Sequence, residues 1–228
     1  LGNLIETSKR LAIFSCDAPW RFVHKPSGLP VFPPHADPSG DCVLRRLEAQ
    51  GCLGPGPWPQ GFEGGLAHRL DTATSGLVAF APDPESLATL RAQFQSGALR
   101  KHYLFVSEAE VDFDTRLVEV ELAHHPHHPD RMIARKRPTT DHRGKWYPTW
   151  TRFERLGRGR WAAEIRTGVM HQIRAHAALV GLPLRGDAVY GGALGPFCLH
   201  HAFMEGPDWR SPQVPPPWPD STRAESPV

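Results

Sequence analysis

Apolar and polar positions alternate along much of this chain, and the alternation predicts more strands than helices. Trp20-Arg21-Phe22-Val23-His24-Lys25 has strand periodicity, Pro26-Ser27-Gly28 breaks it, and Leu29 to Phe32 is expected to resume it. Gly76-Leu77-Val78-Ala79-Phe80 is a continuous apolar run, as expected of a buried strand. Further strands are predicted over Lys101 to Val106, Leu117 to Leu122, Thr149 to Leu156 and Arg160 to Arg166, the last two joined by a turn containing Gly157 and Gly159. Phe197 to Met204 is apolar enough to be a last core element.

Helical signals are fewer. Ser39-Gly40-Asp41 can cap a short helix through Leu44, Leu47 and Ala49, closed by Gly51. The best-signed helix has Asp83 as N-cap, Pro84 at the first helical position, Glu85 complementing the dipole and Gly97 at the end. Leu87, Leu90 and Phe94 form its apolar stripe. Gly168 to Val180 is helical in pattern, and Gly181 with Pro183 stops it. Residues 1–18 show no clean period, 51–65 read as a Gly- and Pro-rich loop, and the tail beyond Ser211 is expected on the surface. Adjacent strands with few helices predict an α+β domain whose sheet is largely antiparallel.

Composition permits a packed core: 40% of the 228 residues are apolar, with seven Trp and eleven Phe. The net charge of +2 says little about partners, but its distribution says more. From His124 to Arg160 ten Lys/Arg face three Asp/Glu, interleaved with Trp146, Tyr147, Trp150 and Phe153. Cations mixed with rings suit a nucleic-acid face, and they equally suit a solvated basic hairpin. Cys16, Cys42, Cys52 and Cys198 lack C-x-x-C spacing and read as reduced thiols. No apolar run approaches ~18 residues and no signal-peptide core is visible, which predicts a soluble, cytoplasmic protein.

Two stretches concentrate chemistry. His68-Arg69-Leu70-Asp71 places a cation and a carboxylate just ahead of the buried strand, a charged station on a rigid support. Asp71 can be a plain turn residue paired with Arg69; an aspartate is also a competent nucleophile or charge stabiliser. In the second stretch, His171, Arg174 and Ala178 share one face if the segment is helical, with Ile173 about a hundred degrees round from Arg174. Arg174 is the candidate partner of Asp71; a surface ion pair is the alternative. His171 and His176 sit about 140° apart on a helix, unlike metal-binding pairs four residues apart. The run His124-His125-Pro126-His127-His128 lacks Cys or carboxylate partners at ligand spacing, so no metal site is expected. Phosphate-loop, dinucleotide-binding and serine-elbow signatures are absent, and no Gly-rich loop precedes His68-Arg69-Leu70-Asp71 to suggest a kinase.

His68-Arg69-Leu70-Asp71-Thr72-Ala73-Thr74-Ser75-Gly76-Leu77 resembles the HRLDxxTSGL motif of the RluA-type pseudouridine synthases. Lys101-His102-Tyr103 is similar to that family's K-x-Y. His171 to His176, followed by Gly181 to Leu184 and Gly186 to Gly191, resembles its HQIRxH…GxPIxGDxxYG segment, and Lys25-Pro26-Ser27-Gly28-Leu29 its K-P-x-G-L. The order agrees and the coverage runs from about Trp20 to Trp218, which implies the pseudouridine synthase fold over residues 20–218, with a lead-in over 1–19 and a tail over 219–228. Val169 departs from the basic residue usual before HQIR, and the nineteen residues ahead of Trp20 leave no room for the S4 RNA-binding domain that many members carry.

The resemblance implies an enzyme that isomerises uridine in rRNA or tRNA, with RNA as partner, no membrane, no cofactor, no obligate protein partner and a monomeric state. It implies Asp71 as the essential carboxylate, Tyr103 against the base as a proton donor or acceptor, and Arg174 paired with Asp71. It places Ile173 near the base, Arg69 in the gap left by an extruded nucleotide, and His68 among the substrate-binding residues. Rival expectations are an RNA-binding protein that has the fold without the catalysis, and a metal-dependent hydrolase using the histidine run.

Overall fold

The computed structural model describes residues 10–59 and 63–219; parts of the expected lead-in and tail lie outside them. In chain order the strands are β1 (Ile13–Ser15), β2 (Arg21–Lys25), β3 (Ser75–Phe80), β4 (Arg100–Val106), β5 (Thr115–Val118), β6 (Leu122–His124), β7 (Met132–Ala134), β8 (Arg143–Tyr147), β9 (Thr151–Gly157), β10 (Arg160–Ile165) and β11 (Leu199–Glu205). The α-helices are α1 (Val43–Ala49), α2 (Pro84–Ser96) and α3 (Gln172–Leu179). Eight strands form one sheet in the order β1-β2-β3-β11-β4-β10-β9-β5, and β7-β6-β8 form a second. Within the large sheet β3 and β11 run parallel and every other neighbouring pair is antiparallel. The architecture is the expected α+β fold with a largely antiparallel sheet.

Strand alternation builds two cores, one on each face of the large sheet. Val23, Val78, Phe80, Tyr103 and Phe105 join one cluster with residues of α1 and α3. Phe22, Leu77, Ala79 and Met204 join another, closed by Leu87 and Leu90 of α2. All six residues of β3 are buried, since both faces are covered, and this explains its unbroken apolar run. A third cluster, with Leu122, Met132, Ala175 and Tyr190, packs α3 against the small sheet.

The helix α2 begins and ends as its signals predict: Asp83 accepts the Ser86 amide, and Gly97 closes it at φ 70°. Phe94 is only half-buried and serves the site described below. Elsewhere the pattern misled. Leu29 to Phe32 is irregular and bent rather than a strand, because Pro30 and Val31 turn their carbonyls to the Val43 and Leu44 amides at the start of α1. That helix is capped by Cys42, whose sulfur accepts from the Arg45 amide, and not by Ser39 to Asp41.

The strand expected over Leu117 to Leu122 is two strands in different sheets. The chain bends between them at Val120, whose carbonyl accepts from Thr149 and faces His176 Nε2 at 2.9 Å. Gly168 to Met170 lies outside α3, because His171 adopts a left-handed φ of 53° and starts the helix one residue later. Periodicity missed β1, β7 and β8, whose three to five residues are too short to show it. The tail turns inward before it ends: Val214 is buried and its amide bonds the Ala202 carbonyl.

The parallel junction of β3 and β11 depends on one glycine. Gly76 has φ 121°, and a Cβ there would lie 2.3 Å from the His201 carbonyl oxygen and 2.5 Å from its nitrogen. Gly76→Ala is therefore expected to cost about 3 kcal/mol or more, since backbone rather than a flexible side chain must move. Chemical denaturation measures it; a loss below about 1 kcal/mol would show that the junction yields easily.

Candidate active site

Asp71 sits in the loop that feeds β3, and the loop is clamped from beneath. Lys25, fully buried at the end of β2, donates from Nζ to the carbonyls of Leu29 (2.7 Å), Thr72 (2.9 Å) and Pro26 (3.1 Å). The Gly28 amide also bonds the Thr72 carbonyl (2.8 Å), and Ser27 Oγ bonds that of Ala73 (2.6 Å). Thr74 N closes the turn onto the Asp71 carbonyl at 3.0 Å. Burial lowers the Lys25 pKa to about 8, with the charge of Asp71 acting the other way. On the upstream side Leu70 is anchored in the core, and His68 Nε2 accepts the Ala79 amide at 2.9 Å. That bond requires the neutral ring, and burial accordingly lowers its pKa to about 3.

Opposite the loop, α3 presents Arg174. Its guanidinium donates from Nε and Nη2 to the two carboxylate oxygens of Asp187, at 2.7 and 2.8 Å. This is a bidentate pair, buried on both sides: the side chains are 10% and 0% exposed. Asp187 Oδ1 also accepts the Val189 and Tyr190 amides, and the rings of Tyr190 and Phe197 each lie 5.2 Å from the guanidinium carbon. Burial works against the charge on Arg174, but the Asp187 hydrogen bonds and charge outweigh it and raise its pKa.

The remaining nitrogen, Nη1, lies 3.6 Å from Asp71 Oδ2. His171 Nε2 lies at the same distance from that oxygen, although His171 reaches it from the helix cap and not from a helical face shared with Arg174. Burial lowers the His171 pKa, Asp71 opposes the shift, and Arg174 adds to it.

A cleft of about 950 Å³ opens here, lined by all six residues the sequence singled out: His68, Arg69, Asp71, Tyr103, Ile173 and Arg174. Ile173 is buried in the wall. Arg69 is exposed and, among the described residues, forms no ion pair with Asp71; the guanidinium beside Asp71 is that of Arg174. Tyr103 is 6% exposed and its ring stacks on His201 at 4.5 Å and 20°. His201 Nδ1 donates to the Leu77 carbonyl at 2.6 Å, which fixes that platform. Burial and then the charge of Asp71 push the Tyr103 phenol well above its ordinary pKa, so it is protonated at neutral pH.

The tight partner of Arg174 is Asp187, which lies within the GDxxYG stretch but has no spacing that links it to Arg174; Lys25 and Tyr190 likewise have no local signal of their contacts. Val169 packs against the third core cluster. The histidine run forms the β6–β7 connection, and among the described residues no three His, Cys, Asp or Glu side chains are grouped to hold a metal ion.

A family model described as RNA pseudouridylate synthase matches residues 20–179, which include Asp71, Tyr103 and Arg174. The chain belongs to the RNA pseudouridylate synthase family. Among its relatives is ribosomal large subunit pseudouridine synthase D of Nitrosomonas europaea, 30% identical over 171 residues, covering 74% of this chain and 46% of the relative. RNA pseudouridine synthase 2, chloroplastic, of rice is 37% identical over 133 residues, covering 56% of this chain and 29% of the relative. The chain thus spans about half or less of these relatives. An uncharacterized RNA pseudouridine synthase of Zymomonas mobilis is 31% identical and is matched over 76% of its length and 77% of this chain. Such relatives agree with the RluA-type motifs. The human structure titled RNA Pseudouridylate Synthase Domain Containing 1 has the same fold, with TM-score 0.73 at 18% identity over 93% of this chain and 86% of that one.

In this family member, removing one side of the buried pair is expected to be costly. Asp187→Asn keeps one acceptor oxygen but removes the buried counter-charge and the bidentate geometry, and should lose about 3 kcal/mol or more of stability. Asp71→Asn, at a partly exposed position, should lose less than about 1 kcal/mol. Equal losses in denaturation would contradict this division between Asp187 as support and Asp71 as the available group.

Proposed function

We propose that this protein is an RNA pseudouridine synthase acting on uridine in rRNA or tRNA, in the cytoplasm, as a monomer and without a cofactor. The observation that carries the proposal is the meeting of Asp71, Arg174 and Tyr103, from three separate segments, at one cleft. The reaction breaks the bond from C1′ to N1 of uracil and forms one from C1′ to C5. The C5 proton leaves and N1 gains one, so atoms and electrons balance without an oxidant.

Each residue then has a task. Asp71 faces the sugar or base as the essential carboxylate, next to the positive charge that develops when the glycosidic bond loosens. Arg174 orients it. Tyr103 acts as a protonated phenol against the base, because its raised pKa disfavours a phenolate. Ile173 supplies apolar contact to the ring. Extruding a stacked uridine costs a few kcal/mol, and Arg69 at the exposed rim can fill the gap with a planar guanidinium. His68 supports the wall through its bond to the Ala79 amide.

The basic, aromatic surface beside the cleft fits an RNA backbone. Arg135 lies over Trp146 (5.5 Å), Lys145 over Tyr147 (5.0 Å), and a second hollow is lined by Arg131, Lys136 and Arg137.

Tritium release from 5-tritiated uridine RNA isolated from a deletion strain tests the reaction. Asp71→Ala is expected to abolish release; persistent turnover would remove Asp71 from the chemistry, and no release by the unaltered protein would favour an RNA binder. Arg174→Met should slow turnover about a hundredfold or more with RNA affinity kept, as its charge acts on a carboxylate rather than a phosphate. Tyr103→Phe should be much slower with an unchanged pH profile up to about pH 9, since no phenolate forms in that range. A rising limb lost in Tyr103→Phe would contradict the protonated role.

A further inference from the structure

Lys101 is the second residue of β4 and, two positions from Tyr103, its side chain falls on the same strand face. It is 5% exposed and lines the active cleft. Among the described residues its Nζ makes no hydrogen bond or ion pair to the protein, and it opens onto the cleft rather than being sealed in the wall. The Phe94 ring lies 5.5 Å away, and Gly168 is so close that a Cβ there would stand 3.0 Å from Nζ. The contrast with Lys25 is informative: that fully buried ammonium has three carbonyl partners. Burial alone lowers the Lys101 pKa, to about 8, so the cation still predominates at neutral pH. Its histidine neighbours, His68 and His201, are held neutral by burial and add no repelling charge.

A cation in a largely desolvated wall with no protein partner takes its acceptor from the space it faces, and for Lys101 that space is the cleft. We infer that Lys101 anchors the substrate, its ammonium donating to an acceptor oxygen of the target nucleotide: a uracil carbonyl or the adjoining phosphate. The inference rests on the RNA reading above and adds to it a contact at the Phe94–Gly168 end of the cleft. Lys101 is thereby a binding residue whose absence should weaken function without weakening the fold.

Lys101→Met keeps the length of the side chain and removes the charge. Expected are a kcat/KM for tritium release at least tenfold lower and a Tm equal to or above that of the unaltered protein. Salt dependence identifies the oxygen: a phosphate contact makes the slope of log kcat/KM against log salt shallower by about one in the variant, and a base carbonyl leaves it unchanged. A kcat/KM within twofold, or a fall in Tm of several degrees that accounts for the lost activity, would overturn the assignment. If the unaltered protein releases no tritium, the proposed reaction fails separately. Thermal protection by millimolar inorganic phosphate and by uridine then decides Lys101: protection lost in Lys101→Met supports the anchor, and equal or absent protection in both proteins overturns it.

Discussion

The site depends on one buried fork. A guanidinium offers two donors along one edge and others at the far end, and Arg174 uses them for different purposes. Nε and Nη2 are committed to Asp187, whose carboxylate is fully shielded, while Nη1 is turned toward Asp71, 28% exposed and 3.6 Å away. The first contact fixes the position of the cation; the second is long enough to leave the Asp71 carboxylate free for a substrate. An arginine held only by Asp71 would have its charge neutralised by that same carboxylate.

The rest of the fold keeps the two halves of this arrangement in register. The segment from Lys25 to Gly28 holds the Asp71 loop through the Thr72 and Ala73 carbonyls, tying it to the rigid end of β2. The parallel contact of β3 with β11 sets that loop beside β4, and hence beside Tyr103 on its His201 platform. The helix α3 is positioned from the other side by packing between the large sheet and β7. Two buried lysines flank the centre: Lys25 is satisfied by three carbonyls, whereas Lys101, the proposed anchor, has no protein hydrogen bond among the described residues.

Much of this was legible in the sequence where local chemistry decides. Asp83, Pro84 and Gly97 fixed α2 because caps act within one turn, and the apolar run of β3 followed from burial on both faces. The six candidate residues come from motif resemblance, and the structure brings all of them to one cleft. The partner of Arg174 was not legible: Asp187 lies thirteen residues away across a turn, and no periodicity links it to α3. The split of Leu117 to Leu122 escaped for the same reason, since it depends on Thr149 and His176 claiming the Val120 carbonyl. His171 broke the predicted helix through a single left-handed residue, which apolar spacing cannot register.

The central claim is that Asp187 acts on catalysis only by holding Arg174, and a double-mutant cycle on single-turnover tritium release tests it most directly. Rates are compared for Asp187→Asn, Arg174→Met and the double variant, each at a temperature where it is folded. The account predicts that the double variant reacts no more slowly than Arg174→Met alone, because nothing is left for Asp187 to hold. Losses that multiply would contradict it, showing that the two residues act independently.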